Sequence, residues 1–260
     1  MTSQLLLDLP AILGEHGRAA LATVVAAAGS TPRGTTARML VLPDGTTRGT
    51  VGGGKFESLV IADARKLLGD RGLPFTRRYD FVPEGPNAFG AVCGGTVTVL
   101  LEIVERTPRL LVVGAGHCGR ALARAAAFSG WAVTVVDERP EQLDPAAFPD
   151  GAALVPVKED YSDLPLPLPD DSVAIVSRGH VTDGIALRRL RGLPVAYLGM
   201  MGSNAKKKTL FGDLRAEGWT EDELARVRSP IGLDIGAETP EEIAVAIVAE
   251  LVRVRRGREA

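Results

Sequence analysis

The sequence predicts an α/β chain, with a Rossmann-like parallel sheet in the C-terminal part and an N-terminal α+β domain before it. Three observations carry this. Residues 110–137 read as a strand, a Gly114-x-Gly116-x-x-Gly119 turn, a helix, a second strand and the acid Asp137, which lies 18 residues after the last glycine. That context, rather than the glycine triplet alone, is the dinucleotide-binding fingerprint. Beyond residue 110 apolar strand-like runs alternate with helix-like runs, the signature of a parallel sheet. About 107 residues precede the fingerprint and are patterned differently. The predicted domains are therefore 1–107 and 108–260.

Within the first domain, residues 4–14 suit a short amphipathic helix. Residues 20–28 form an apolar run that Gly29-Ser30-Thr31-Pro32-Arg33-Gly34 ends sharply, which favours a buried strand. Residues 38–42 and 46–51 read as a pair of strands joined by Pro43-Asp44-Gly45, where Asp-Gly supplies hairpin chemistry. Gly52-Gly53-Gly54 then opens a helix over 55–68, with Phe56, Leu59, Val60, Ala64, Leu67 and Leu68 at helical spacing. Residues 75–81 and 96–104 read as strands around a Gly/Pro-rich loop that carries Cys93-Gly94-Gly95. The polar stretch 105–109 separates the domains.

In the second domain, strands are predicted over 110–113, 132–136, 153–155, 172–177 and 195–198. Helices are predicted near 118–129, 183–191 and 204–217. The segment 156–169 holds four prolines and reads as a surface connection. Thr239-Pro240-Glu241-Glu242 is a capping box with proline at the first helical position, opening a helix over 240–254.

Composition excludes several classes of function. Hydrophobic residues at 45% and charged residues at 24% are ordinary for a globular protein. A net charge of −2 and an aromatic content of 5% argue against nucleic-acid binding. No apolar run approaches the roughly 20 residues of a membrane span. No basic segment followed by a long apolar run suggests a signal peptide. Cys93 and Cys118 are the chain's two cysteines, a usage that suits a reducing cytosol and a cytoplasmic location. No zinc-ligand spacing is visible.

Several motifs admit two readings. Gly114, Gly116 and Gly119 suit a pyrophosphate at a helix N-terminus, with Asp137 accepting from a ribose 2′-hydroxyl and Arg139 blunting that preference; the same pattern also occurs in nucleotide-free folds. His180 and Asp183 follow a strand and suit acid–base or binding work, or else Thr182 and Asp183 cap a helix. Gly199, Gly202 and Ser203 suit another phosphate-approaching loop, or else Ser203 is a plain cap. The glycine turns 29–34, 52–54 and 93–95 suit a site whose soft ligand is Cys93, or else they are hairpin turns around a small buried cysteine. One alternative function for the whole chain is an NAD-dependent oxidoreductase using His180 as acid or base.

Taken together, these residues resemble the XdhC/CoxI family, accessory proteins for xanthine dehydrogenase and related molybdenum hydroxylases. The resemblance is carried by Gly29–Arg33, Gly49–Glu57, Cys93–Val97, Gly114–Leu122 with Val135–Pro140, Ser177–His180 with Asp183, and Gly199–Ser203. The most specific block is Ser229–Ala244. At 204–208 the chain reads Asn-Ala-Lys-Lys-Lys where the family pattern is arginine-rich. The resemblance implies a chaperone rather than a conventional enzyme, one that binds the molybdenum cofactor (molybdopterin), protects it and delivers it to a xanthine dehydrogenase-like client. It implies Cys93 as the molybdenum ligand. Ser30, Arg33, Gly52, Gly53, Gly54, Glu57, Gly94 and Gly95 become cofactor contacts, and Gly114, Gly116, Gly119, Asp137, His180, Asp183, Gly199, Gly202 and Ser203 become contacts to the cofactor or to NAD or another nucleotide in the Rossmann half. A cysteine desulfurase is a further expected partner, and a homodimer the expected assembly.

Overall fold

A computed structural model describes residues 2–30, 34–70, 72–84, 88 and 94–257. It divides into two compact units, residues 1–106 and 107–260.

The first unit is a five-stranded sheet in the order β3-β2-β1-β5-β4, antiparallel throughout. Its strands are β1 (Arg18–Ala28), β2 (Arg38–Val41), β3 (Thr47–Gly49), β4 (Phe75–Asp80) and β5 (Thr96–Glu105). Helix α2 (Gly54–Asp70) covers one face through Phe56, Val60, Ala64 and Leu67, which pack with Ala20, Ala22 and Val24 of β1. Helix α1 (Thr2–His16) covers the other through Leu5 and Leu13, packed with Ala19 and Leu21. Successive β1 side chains thus enter opposite cores. This is why β1 reads as a continuous apolar run and not as an alternating one.

The second unit is a six-stranded sheet in the order β11-β10-β9-β6-β7-β8, parallel throughout. The strands are β6 (Arg109–Val113), β7 (Ala132–Asp137), β8 (Ala153–Pro156), β9 (Ser172–Ile175), β10 (Tyr197–Met200) and β11 (Val227–Arg228). This is the doubly wound dinucleotide-fold order, in which the chain reverses direction across the sheet between β6 and β9. Helices α3 (His117–Phe128) and α7 (Pro240–Arg255) share one core, in which Leu122 and Ala126 meet Ala244, Ile247 and Leu251. Helices α4 (His180–Leu190) and α5 (Asn204–Ala216) bury Leu187 and Leu214 in the other. The short helix α6 (Glu221–Ala225) precedes β11.

Several elements differ from expectation. Strand β10 starts at Tyr197 rather than Val195, because its ladder with β9 begins at the Tyr197–Ser172 pair. Helix α4 starts at His180 with Gly179 as its N-cap, so neither Thr182 nor Asp183 caps it. Helix α6 and strand β11 have no counterpart among the predicted elements; at five and two residues they are shorter than a periodicity argument can resolve.

Candidate functional site

In the first unit, the pairing directions bring three connections to one edge of the sheet. Strands β1, β3 and β4 end there, and β2 and β5 begin there. The turns after Ala28, after Gly49 and before Thr96 are therefore neighbours by topology. Two of them touch. A Cβ on Gly29, whose φ is +73°, would lie 3.0 Å from the Gly94 carbonyl oxygen and from Gly95 Cα. Ser30 forms an isolated parallel bridge with Gly94. Gly94 has φ +74° and open space where a Cβ would stand. Cys93 and Arg33 lie outside the described residues.

The Gly52–Gly54 turn is organised from within. The Glu57 carboxylate accepts from the Val51 and Gly53 amides, both at 3.1 Å, and from the Thr50 hydroxyl, while the Gly52 amide donates to Thr50 Oγ1. Burial raises the Glu57 pKa, but the Thr50 hydroxyl and the Gly53 and Val51 amides outweigh it and hold it below the usual value. The amides expected to face an anionic ligand thus face Glu57. Glu57 is a builder of the loop, and its carboxylate occupies the first turn of α2.

In the second unit, the fingerprint turn leaves the carboxyl end of β6. Gly114 adopts φ +115°, and a Cβ there would stand 2.7 Å from the Val176 carbonyl oxygen. A Cβ on Gly119 would come within 1.9 Å of the Gly114 carbonyl oxygen. Both glycines are demanded by packing. Gly116 is not: its φ is −71° and nothing lies within 4 Å of a Cβ placed on it. It caps α3 without any side-chain hydrogen bond. Arg120 secures the turn by donating to the Ala115 carbonyl and to Gln142.

Asp137 is fully buried. It accepts from the Ala115 amide at 2.7 Å and from the backbone, Nε and Nη2 of Arg139 at 2.9–3.0 Å. Burial alone would raise its pKa; the Arg139 guanidinium and the Ala115 amide reverse this and lower it. The ribose role expected of Asp137 therefore meets a carboxylate whose lone pairs already have partners.

Beside it, the loops after β9 and β10 are joined by charge. Asp183, buried on the first turn of α4, accepts from the Ser177 hydroxyl and pairs with Lys206 of α5. Burial raises the Asp183 pKa against the opposing pull of Lys206 and Ser177. A side chain on Gly202 would meet Lys206 Cδ at 3.0 Å, so glycine leaves the path along which Lys206 folds back. Ser203 caps α5 by accepting from the Lys206 amide. His180 is exposed at the start of α4, away from any described hydrogen bond. Gly199 is wedged against Ile231 and the Tyr197 hydroxyl, each 2.6 Å from a Cβ placed there, so its need for glycine is packing and not ligand approach.

A cavity of about 570 Å³ opens at the end of β10, between Met201–Asn204 and Pro230–Ala237. The sequence motifs do not mark the 230–237 loop as a wall of any site. The signal that does mark it is its glycines, Gly232 and Gly236, at φ +92° and +73°. Among the described residues no group of three or more His, Cys, Asp or Glu could hold a metal ion. Cys118 is half-buried in the α3 core, and burial with Glu241 nearby pushes its thiol pKa up, away from thiolate chemistry.

Compared with models of known families, residues 110–251 match the XdhC Rossmann domain and residues 12–80 match the XdhC and CoxI family. The chain belongs to the XdhC and CoxI family. YqeB of Escherichia coli (strain K12) is 37% identical over 239 residues, covering 91% of this chain and 43% of that protein. A Bacillus subtilis (strain 168) protein, named as one probable subunit of xanthine dehydrogenase, is 32% identical over 164 residues, covering 62% of this chain and 47% of its own length. The chain thus spans less than half the length of these two relatives. The molybdenum cofactor insertion chaperone PaoD of E. coli is 23% identical, with 93% of this chain and 85% of PaoD covered. A crystal structure from Bacillus halodurans described as a xanthine dehydrogenase superposes with a TM-score of 0.54 at 25% identity, covering 96% of this chain and 95% of that one.

The two XdhC/CoxI family matches fall one in each unit. The Rossmann match ends within α7, whose Glu250 binds the Tyr197 hydroxyl at 2.6 Å and the Gly232 amide at 2.9 Å. The helix thereby holds the 230–237 loop against β10. No helix among the described residues is long and apolar enough to cross a membrane.

Proposed function

We propose that this XdhC/CoxI-family protein is a molybdenum-cofactor accessory protein that binds and protects the cofactor and passes it to a xanthine dehydrogenase-type hydroxylase. The observation that carries the reading is the packing of Gly29 on Gly94 and Gly95 at one sheet edge, directly beside Cys93 in the chain. Molybdopterin is flat, anionic and oxidatively fragile. A carrier for it needs close backbone approach, a soft ligand and a reversible hold. Gly94, open at its Cα, supplies the approach. Cys93 supplies the thiolate for a soft centre. The name of PaoD and its near-full coverage of this chain support the same role. A cysteine desulfurase as sulfur source and a homodimeric state belong to this reading.

The test is anaerobic supply of the intact cofactor to the purified protein, with molybdenum and fluorescent pterin oxidation products counted per chain. Wild type should retain both. Cys93→Ala should lose them with an unchanged circular dichroism spectrum. Wild type that retains neither would end the proposal; retention by Cys93→Ala would end the role of that thiol. Light scattering of the purified chain checks the dimer.

A further inference from the structure

The acid that closes a dinucleotide fingerprint ordinarily accepts hydrogen bonds from an unphosphorylated ribose. Here that acid has no capacity left. A carboxylate offers about four lone-pair sites. Asp137 receives four hydrogen bonds from Ala115 and Arg139, inside a fully buried pocket. The next polar group outward is the Arg139 guanidinium, with the carboxylates of Glu138 and exposed Glu141 near it. Arg139 gives its Nε and Nη2 to Asp137, its side chain is 28% exposed, and no hydrogen bond of its Nη1 occurs among the described residues.

A second guanidinium stands close by. Arg178, in the loop after β9, lies 3.1 Å from Glu138 Oε1, and Arg139 lies 3.6 Å from the same oxygen. Strands β7 and β9 are the two neighbours of β6, so this shared carboxylate draws both arginines to the carboxyl end of the strand that bears the fingerprint turn. Arg178 is 58% exposed and, among the described residues, pairs with Glu138 alone, which leaves most of its fork of donors available. Tyr161 holds Glu138 from behind at 3.2 Å. Gly116, the N-cap of α3, has open space where a Cβ would stand. A pyrophosphate can therefore approach the backbone there, as at the second glycine of such a turn.

We infer that the Rossmann half binds a nicotinamide dinucleotide bearing a 2′-phosphate in preference to one with a free 2′-hydroxyl, with Arg139 and Arg178 as the specificity-determining pair. Guanidinium forks match phosphate geometry and stay charged at any physiological pH. A free ribose would find Asp137 already saturated and guanidinium donors suited to a phosphate in its place. The inference concerns a site in residues 107–260 and stands independently of molybdenum binding, so the two succeed or fail separately.

The experiment titrates the purified chain with NADPH and with NADH by fluorescence and calorimetry, in the absence of molybdenum. NADPH should bind roughly tenfold or more tightly than NADH, the effect of one or two hydrogen bonds to a charged group. Arg178→Ala should weaken NADPH and spare NADH, with an unchanged circular dichroism spectrum. Arg139→Ala should abolish the preference, because it removes one cation and frees one edge of Asp137. Gly116→Val should lose both nucleotides while the circular dichroism spectrum is kept. Inorganic phosphate at the same concentration should not compete. Equal or tighter binding of NADH, absence of binding by either nucleotide at millimolar concentration, or NADPH affinity indifferent to both arginine variants would each overturn the inference.

Discussion

Two glycines three positions apart in the same turn have opposite physical status. A methyl group on Gly119 would sit 1.9 Å from the Gly114 carbonyl oxygen, backbone that Arg120 and the Ala115–Asp137 bond hold in place. Gly119→Ala should therefore cost about 1–3 kcal/mol, the usual range for forced overpacking. Gly116→Ala meets nothing within 4 Å and should cost less than about 1 kcal/mol, the ordinary loss at a helix N-cap. Urea unfolding of the two variants checks the contrast, and equal losses would contradict it. Asp137 gives a pH signature at the same scale. Burial opposes its ionisation, but Arg139 and Ala115 prevail, so its folded pKa lies below the ordinary 3.8. A depressed acid stabilises the fold above its unfolded pKa, and that contribution fades as pH falls through the folded value. Asp137→Asn should cost about 1.5–3 kcal/mol at pH 7, the scale of hydrogen bonds to a charged group. The gap to wild type should close on acidification below about pH 4, as the wild-type carboxylate takes up its proton. A gap that stays constant from pH 7 to pH 3 would show that the charge of Asp137 does not contribute.

At the scale of elements, the capping box of α7 is the clearest case of sequence dictating structure. Thr239 accepts from the Glu242 amide at 3.2 Å, and the Glu242 carboxylate accepts from the Thr239 amide at 3.0 Å. Thr239→Ala should lose about 1 kcal/mol, read as a lowered urea midpoint at an unchanged slope. Caps, glycine turns and apolar runs are local, and so the order of strands and helices is legible from residue to residue. The same capping chemistry exists at Thr220 and Glu223, but α6 is five residues long and carries no period to find. Contacts between elements are not legible in this way. Asp183 and Lys206 belong to different helices, and only the fold of the second sheet brings them together. Glu57 can be read as a residue at a glycine turn, but not as the group its amides would choose. The neighbourhood of Gly29 and Gly94 needs the antiparallel pairing of β1 with β5, a register in which Ala28 opposes Thr96.

At the scale of the molecule, each of the two compact units has hydrophobic clusters of its own among the described residues. The two cores around α1 and α2 use residues 5–104, and the two around the parallel sheet use residues 110–254. Each unit falls within the size range of independently folding domains and owns a sheet covered on both faces. Residues 1–106 and residues 107–260, expressed separately, should each unfold in one cooperative transition, followed by circular dichroism in urea. The antiparallel unit carries the glycine edge beside Cys93, and the parallel unit carries the fingerprint turn with Arg139 and Arg178. The first fragment should therefore retain molybdenum cofactor and ignore NADPH, while the second should do the reverse. A fragment that folds cooperatively yet loses its ligand would mean that the ligand needs residues from the other unit. A fragment without a cooperative transition would mean that its own clusters do not suffice to hold it folded.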